Sequence, residues 1–167
     1  MINRRNFIGL SLPILGASFK TFAEETPKSA GTSGPPDDIE VIPIDKQTWY
    51  EAEDKAVARE FASPRNSRAK FTSTADILIP GGVTIVPHKH AWEEVYLIIE
   101  GKGLMMLEDS TKEVKAGDSI VILPNEWHNI KNLDEKEDLR LTVVCAPYWR
   151  PEGLVFDRNA PNKPVDG

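Results

Sequence analysis

The stretch PHKHAWEEVYLIIEG, residues 87–101, holds two of the chain's three histidines, and the third, His128, lies forty residues after His88. On a strand, side chains alternate between faces, so His88 and His90 point the same way. Thr84 and Val86 share their parity, which predicts that this face is an interior wall. The chain then turns at Ala91-Trp92, and Glu94 opens the next apolar run. Glu93 has the opposite parity and is expected in solvent. A carboxylate on an interior face is costly unless it is paired or bound to metal. A single buried histidine is ordinarily a hydrogen-bonded core residue, but three of them together with Glu94 are poorly explained that way. Three imidazoles and a carboxylate in one sheet-lined cavity can hold a mononuclear divalent ion, with positions left open for water or substrate. His88, His90, Glu94 and His128 are therefore the candidate ligands. Tyr96 shares the parity of Glu94 and is the candidate catalytic residue, able to donate a proton or a hydrogen bond; packing in the core is the competing role.

Positioning four such groups requires strands brought together from distant parts of the chain. The sequence supplies them. Segments 70–79, 83–90, 94–100, 103–108, 111–115, 118–123, 127–131 and 139–145 are short, apolar and rich in β-branched and aromatic residues, with turn residues between them. Eight short strands without intervening helices predict an all-β sandwich or barrel. Upstream, an N-terminal arm at 39–66 is expected to contain an edge strand at Ile39–Ile44, interrupted by Pro43, and a helix over 46–61. Downstream, residues 147–167 form a tail whose aromatics (Tyr148, Trp149, Phe156) are expected to pin it across the barrel. Cys145 falls on the apolar parity of the last strand and is read as a buried residue, not a nucleophile. Being the only cysteine, it allows no internal disulfide.

The spacing of these residues resembles that of the cupins. Gly82, five residues, His88, one residue, His90, three residues, Glu94, six residues and Gly101 match the first cupin motif. Gly117, His128 eleven residues on and Asn132 four further on match the second, with Leu123 in the place of the usual proline and Asn125 in that of the usual glycine. Asparagine is the next-best residue for a positive φ, so the turn is expected to survive. The resemblance spans residues 63 to 145. It implies a double-stranded β-helix, or jelly-roll barrel, over 67–146. It also implies that His88, His90, Glu94 and His128 ligate one divalent ion, either iron, manganese, zinc or nickel. The family includes dioxygenases, decarboxylases, lyases and isomerases as well as binding proteins. The expectation is thus a metalloenzyme acting on a small polar or anionic metabolite, with a non-catalytic binding or sensor protein as the alternative. Asn132 is a candidate hydrogen-bond partner for His128, and Arg65 or Arg68 for a substrate carboxylate. Cupin barrels often pair by arm or edge exchange, which predicts a homodimer.

The first 23 residues read as an export signal: a basic start with Arg4-Arg5, a short apolar stretch and small residues before Glu24. Arg4-Arg5-Asn6-Phe7-Ile8 resembles the bacterial twin-arginine signal, which predicts a periplasmic or secreted protein. The apolar stretch is too short and broken for a stable bilayer span. Residues 24–38, rich in Pro, Gly, Ser and acid, are expected to be a flexible linker. Loss of the signal removes three of the 20 cations and none of the 26 acids, taking the formal charge from −6 to −9. Such a surface speaks against nucleic acid and anionic membranes as partners.

Overall fold

The computed structural model describes residues 39–157; the export signal at 1–23, the linker at 24–38 and the end of the tail at 158–167 lie outside the described residues. Eleven strands follow in order: β1 (Tyr50–Glu51), β2 (Val57–Ala62), β3 (Ser73–Ile79), β4 (His88–His90), β5 (Glu93–Glu100), β6 (Lys102–Leu107), β7 (Ser110–Lys115), β8 (Ser119–Ile122), β9 (His128–Asn132), β10 (Leu139–Ala146) and β11 (Leu154–Phe156). They make two antiparallel sheets, one ordered β1-β2-β3-β10-β5-β8 and the other β11-β4-β9-β6-β7. This is the expected jelly roll, and each of the eight sequence segments contains a strand.

The alternation read from the sequence decides which faces meet. On β5, Glu94, Tyr96 and Ile98 are buried while Glu93, Leu97 and Ile99 are exposed. On β10, Leu139, Leu141, Val143 and Cys145 are buried. Ile79, Ile122 and Ile130 complete the core between the sheets. Turn chemistry holds the hairpins in register. Gly101, between β5 and β6, has φ +89°, and a Cβ there would sit 3.2 Å from the Cα of Leu139, so both backbone angle and space ask for glycine. Asn125 adopts φ 69°, the positive value expected of it.

The region ahead of the barrel differs from expectation. Residues 46–61 are not a helix: a 3-10 turn occupies Ile44–Lys46, and β1 and β2 follow. Ala56 and Ala58 are both buried, a period of two. The local pattern yields to pairing with β3, where Arg59 lies opposite Asp76. Ile39–Ile44 forms no strand either, and Ile39 and Val41 are exposed. Strand 83–90 is shorter than expected, with only His88–His90 regular. Pro87 has no N–H to offer a ladder. Ahead of it Thr84 makes an isolated bridge to Lys131, and Ile85 N donates to Ile130 O. The parity therefore slips across Pro87, and Ile85 is buried in place of Thr84 and Val86.

Asp76, fully buried on β3, ties the arm to the sheet. Its carboxylate accepts from Arg59 at 2.7 Å and from Arg140 twice at 2.9 Å. The Arg59 guanidinium also stacks 4.1 Å from the ring centre of Trp49. Among the described residues, no helix is long and apolar enough to cross a membrane.

Candidate metal centre

β4, β5 and β9 deliver the four expected ligands to one place. His88 and His90 share the inward face of β4, and His88 pairs directly with His128 on β9. Glu94 enters from β5 in the facing sheet. All four side chains are buried, and one ligand atom from each lies within 4.8 Å of all the others. That span is roughly twice a metal–ligand bond of about 2.0–2.4 Å, so one ion can be reached by all four.

The hydrogen bonds fix which nitrogen faces inward. Each imidazole has its Nδ1 on a backbone carbonyl: His88 on Val86 at 2.9 Å, His90 on Trp92 at 2.8 Å and His128 on Glu126 at 2.9 Å. A carbonyl only accepts, so each Nδ1 carries hydrogen and each Nε2 is left to present a lone pair in the neutral ring. The Nε2 of His90 lies 2.9 Å and that of His128 3.4 Å from the same Glu94 oxygen. The Nε2 of His128 is buried with no hydrogen-bond partner. Converging lone pairs and a carboxylate repel unless a cation or shared protons lie between them. The donor set therefore fits a divalent ion of the imidazole-binding kind.

Electrostatics agree. Burial, reinforced by the neighbouring His128, pushes His88 from its ordinary 6.5 down to about 4, leaving a neutral ring ready to ligate at neutral pH. Burial opposes ionisation of Glu94, but the adjacent His128 and His90 rings outweigh it and hold the carboxyl well below its usual range. The sign of the His88 effect gives a prediction for metal-free protein. An unfolded histidine takes up its proton near 6.5 and the buried one near 4, so this contribution is complete above about pH 6.5. It is lost as the pH falls toward 4, on the order of 3 kcal/mol. Denaturant unfolding at pH 7 and pH 4.5 should show most of that loss; equal stability at the two values would contradict it.

Around the cluster, Trp92 is almost fully buried and stacks on His90 with ring centres 4.5 Å apart and planes at 5°. Tyr96 is buried, its ring 6.2 Å from that of His128. Burial and the carboxylates Glu94 and Asp54 raise its hydroxyl well above 10, so it keeps its proton. Asn132 does not support His128: its amide donates to Ile79 O and Glu137 O, and its oxygen accepts from Asp134 N, bracing the acidic turn. Arg68 is likewise occupied, its backbone and guanidinium both on Glu40. Trp149 packs against the core, Phe156 lies beside His88, and β11 closes the barrel against β4.

Two neighbours of the site were not legible as such in the sequence. Cys145 sits opposite Glu94 on β10, and its thiol donates to the second Glu94 oxygen at 3.2 Å. Burial and the Glu94 charge push that thiol up, so it is a donor and not a thiolate. Asp54, in the turn between β1 and β2, lines the same cavity, its side chain accepting from Ala56 N at 3.0 Å and its carbonyl from Val86 N. Only the long-range pairing of these segments reveals either contact. The cavity measures about 410 Å³ and runs from His88, His90 and Glu94 past Tyr96 to the turn before β2. That is room for a small organic molecule.

The fold and this centre define a class, and comparison with known proteins agrees. Residues 76–145 match the Cupin domain family. The uncharacterized protein MJ1618 of Methanocaldococcus jannaschii is 36% identical over 105 residues, covering 62% of this chain and 82% of its own. The chain belongs to the cupin superfamily. A cupin of the RmlC-like kind from Shewanella frigidimarina superimposes with a TM-score of 0.58 at 15% identity, over 69% of this chain and 96% of that one. The polyketide cyclase RemF of Streptomyces resistomycificus does so with a TM-score of 0.59 at 20% identity, over 68% and 82%. At these identities the likeness is one of fold.

Proposed function

We propose that the protein is a mononuclear metalloenzyme that binds one divalent ion through His88, His90, Glu94 and His128 and acts on a small polar metabolite. One observation carries the reading: three imidazoles have their Nδ1 engaged by carbonyls and their Nε2 turned toward a shared point that Glu94 also faces. A bound ion would supply Lewis acidity, and redox chemistry if it is iron or manganese. The chain's own groups do the rest. The Cys145 thiol orients Glu94, Trp92 fixes the plane of His90, and the apolar walls exclude water. Tyr96 keeps its proton and serves as a hydrogen-bond or proton donor within the cavity, not as a base. The cyclase RemF has the same fold, which agrees with an enzyme but names no reaction here.

Elemental analysis of anaerobically purified protein is the test, followed by stripping and reloading with iron, manganese, nickel or zinc. About one ion per chain is expected. Protein that stays metal-free with all four ions would remove the proposal. Once turnover is found with the reloaded ion, Tyr96→Phe should lower kcat roughly 100-fold with metal content unchanged. An unaltered kcat would remove Tyr96 from the mechanism. Ligand binding without turnover by any reloaded form would favour a sensor or carrier.

A further inference from the structure

The charge around the cavity points to its ligand. Among the described residues that line it, Glu51, Glu53, Asp54, Glu60 and Glu94 are acidic, and Arg65 is the one lysine or arginine. Arg65 already has a counter-charge: its guanidinium holds Glu60 at 2.6 Å and lies 5.0 Å over the Trp149 ring. A divalent ion at the histidines offsets two of the five negative charges and Arg65 one, so the metal-loaded cavity still carries a net charge of about −2. Glu51 and Glu53 are exposed at the rim, while Asp54 and Glu60 are half-buried and Glu94 is buried. Asp54 is half-buried at the inner end of this acidic run, and burial raises its carboxyl. Its carboxylate is thus held in a place that a neighbouring cation would favour and a second anion would not. At the other end, His88, His90 and Glu94 mark the metal pole. The walls between are apolar and aromatic, including Tyr50, Ile85 and Phe156.

We infer that the cavity takes a cationic ligand, an amine whose ammonium group lies toward Asp54 while its oxygen-bearing end faces the histidine–glutamate centre. This rests on the metalloprotein reading for the orientation of the ligand but not for the sign of its charge. It narrows the small polar or anionic metabolite expected from the sequence to a cationic one. Arg65 in that expectation would have gripped a carboxylate, and Glu60 has already taken it.

Three catechols that differ in the charge of one substituent test the inference: dopamine (cation), 4-methylcatechol (neutral) and 3,4-dihydroxyphenylacetate (anion). Binding is measured anaerobically by calorimetry to the full chain, once loaded with zinc, which has no redox chemistry, and once metal-free. Dopamine should bind about tenfold or more tighter than the acid, with 4-methylcatechol between them, and the gap should narrow as salt is raised. In metal-free protein the gap should widen, because two positive charges are gone. Asp54→Asn keeps an oxygen for the Ala56 N–H, so it should fold; it should cut the preference to about threefold or less. Glu51→Gln, on an exposed residue, should narrow it by a smaller amount. The inference is overturned if the acid binds as tightly as dopamine, if neither substitution changes the preference, or if none of the three binds to either form. Failure to take up zinc overturns the metal reading instead, and the preference of the metal-free protein then still decides the charge.

Discussion

His128→Ala is expected to lower the affinity for the divalent ion by at least roughly 100-fold, since loss of mere supporting groups around metal ligands already costs about 10–100-fold. The substitution removes one of three Nε2 lone pairs, on a nitrogen that is buried without a hydrogen-bond partner. For the same reason it should not unfold the barrel: only the Glu126 carbonyl loses a hydrogen bond, while a buried, unsatisfied nitrogen is removed. His88→Ala and His90→Ala should behave alike. Glu94→Gln should weaken binding less, because the amide oxygen remains a neutral donor. Glu93→Gln should leave binding as it is, since that side chain is exposed on the other face of β5. Titration with a competing chelator, alongside circular dichroism to confirm the fold, measures all five. A His128→Ala protein that folds and holds one ion at wild-type affinity would exclude this centre.

Asp76→Ala should produce the largest loss of stability. It leaves two guanidinium groups without their shared partner on the inner part of the β2-β3-β10 sheet. Arg59 has a side chain only 15% exposed, and its Nε is already unpartnered. Breaking a buried ion pair by removing one member costs about 3–5 kcal/mol. For a domain of this size that lowers Tm by roughly 10–20 °C. The arm should loosen with it, because Arg59 and its stacked Trp49 are held through Asp76. Metal content should be unchanged, which separates this effect from that of His128→Ala. Arg65→Ala is the contrast. Its pair with Glu60 is partly exposed, with side chains 46% and 20% accessible, and its loss should cost no more than about 1 kcal/mol. Melting curves of the two variants decide the matter; an Asp76→Ala protein within about 1 kcal/mol of wild type would show the triad to be dispensable.

Acid sensitivity and ligand charge follow from the same arrangement. In the cluster His88 and Glu94 resist protonation, and the acidic lining of the cavity repels anions. Export by a twin-arginine route and pairing into a dimer stay expectations from the sequence, the first resting on residues outside those described.

What the sequence determined by itself was whatever depends on local spacing. The i, i+2 placement of His88 and His90 on a strand puts them on one face, and the alternation on β5 sends Glu94 inward and Glu93 outward. Asn125 takes its positive φ because the residue at the corner of that turn has little alternative. Eight strands were legible because each carries its own period and its own turn residues. The tertiary structure alone decided the contacts between distant segments. Residues 46–61 carry a passable helical pattern, yet pairing to β3 and the Arg59–Asp76 bond outweigh that weak preference. Pro87 interrupts a ladder that the alternation alone would have continued through residue 83. Asn132 turned to the acidic loop and not to His128. Cys145 became a hydrogen-bond donor to Glu94 because the register of β10 against β5 set them opposite each other. Asp54 entered the cavity because its own backbone is held to Val86, 32 residues along the chain. Side-chain parity is fixed by the geometry of a single strand, whereas partners across a sheet depend on long-range pairing that no short stretch of sequence encodes.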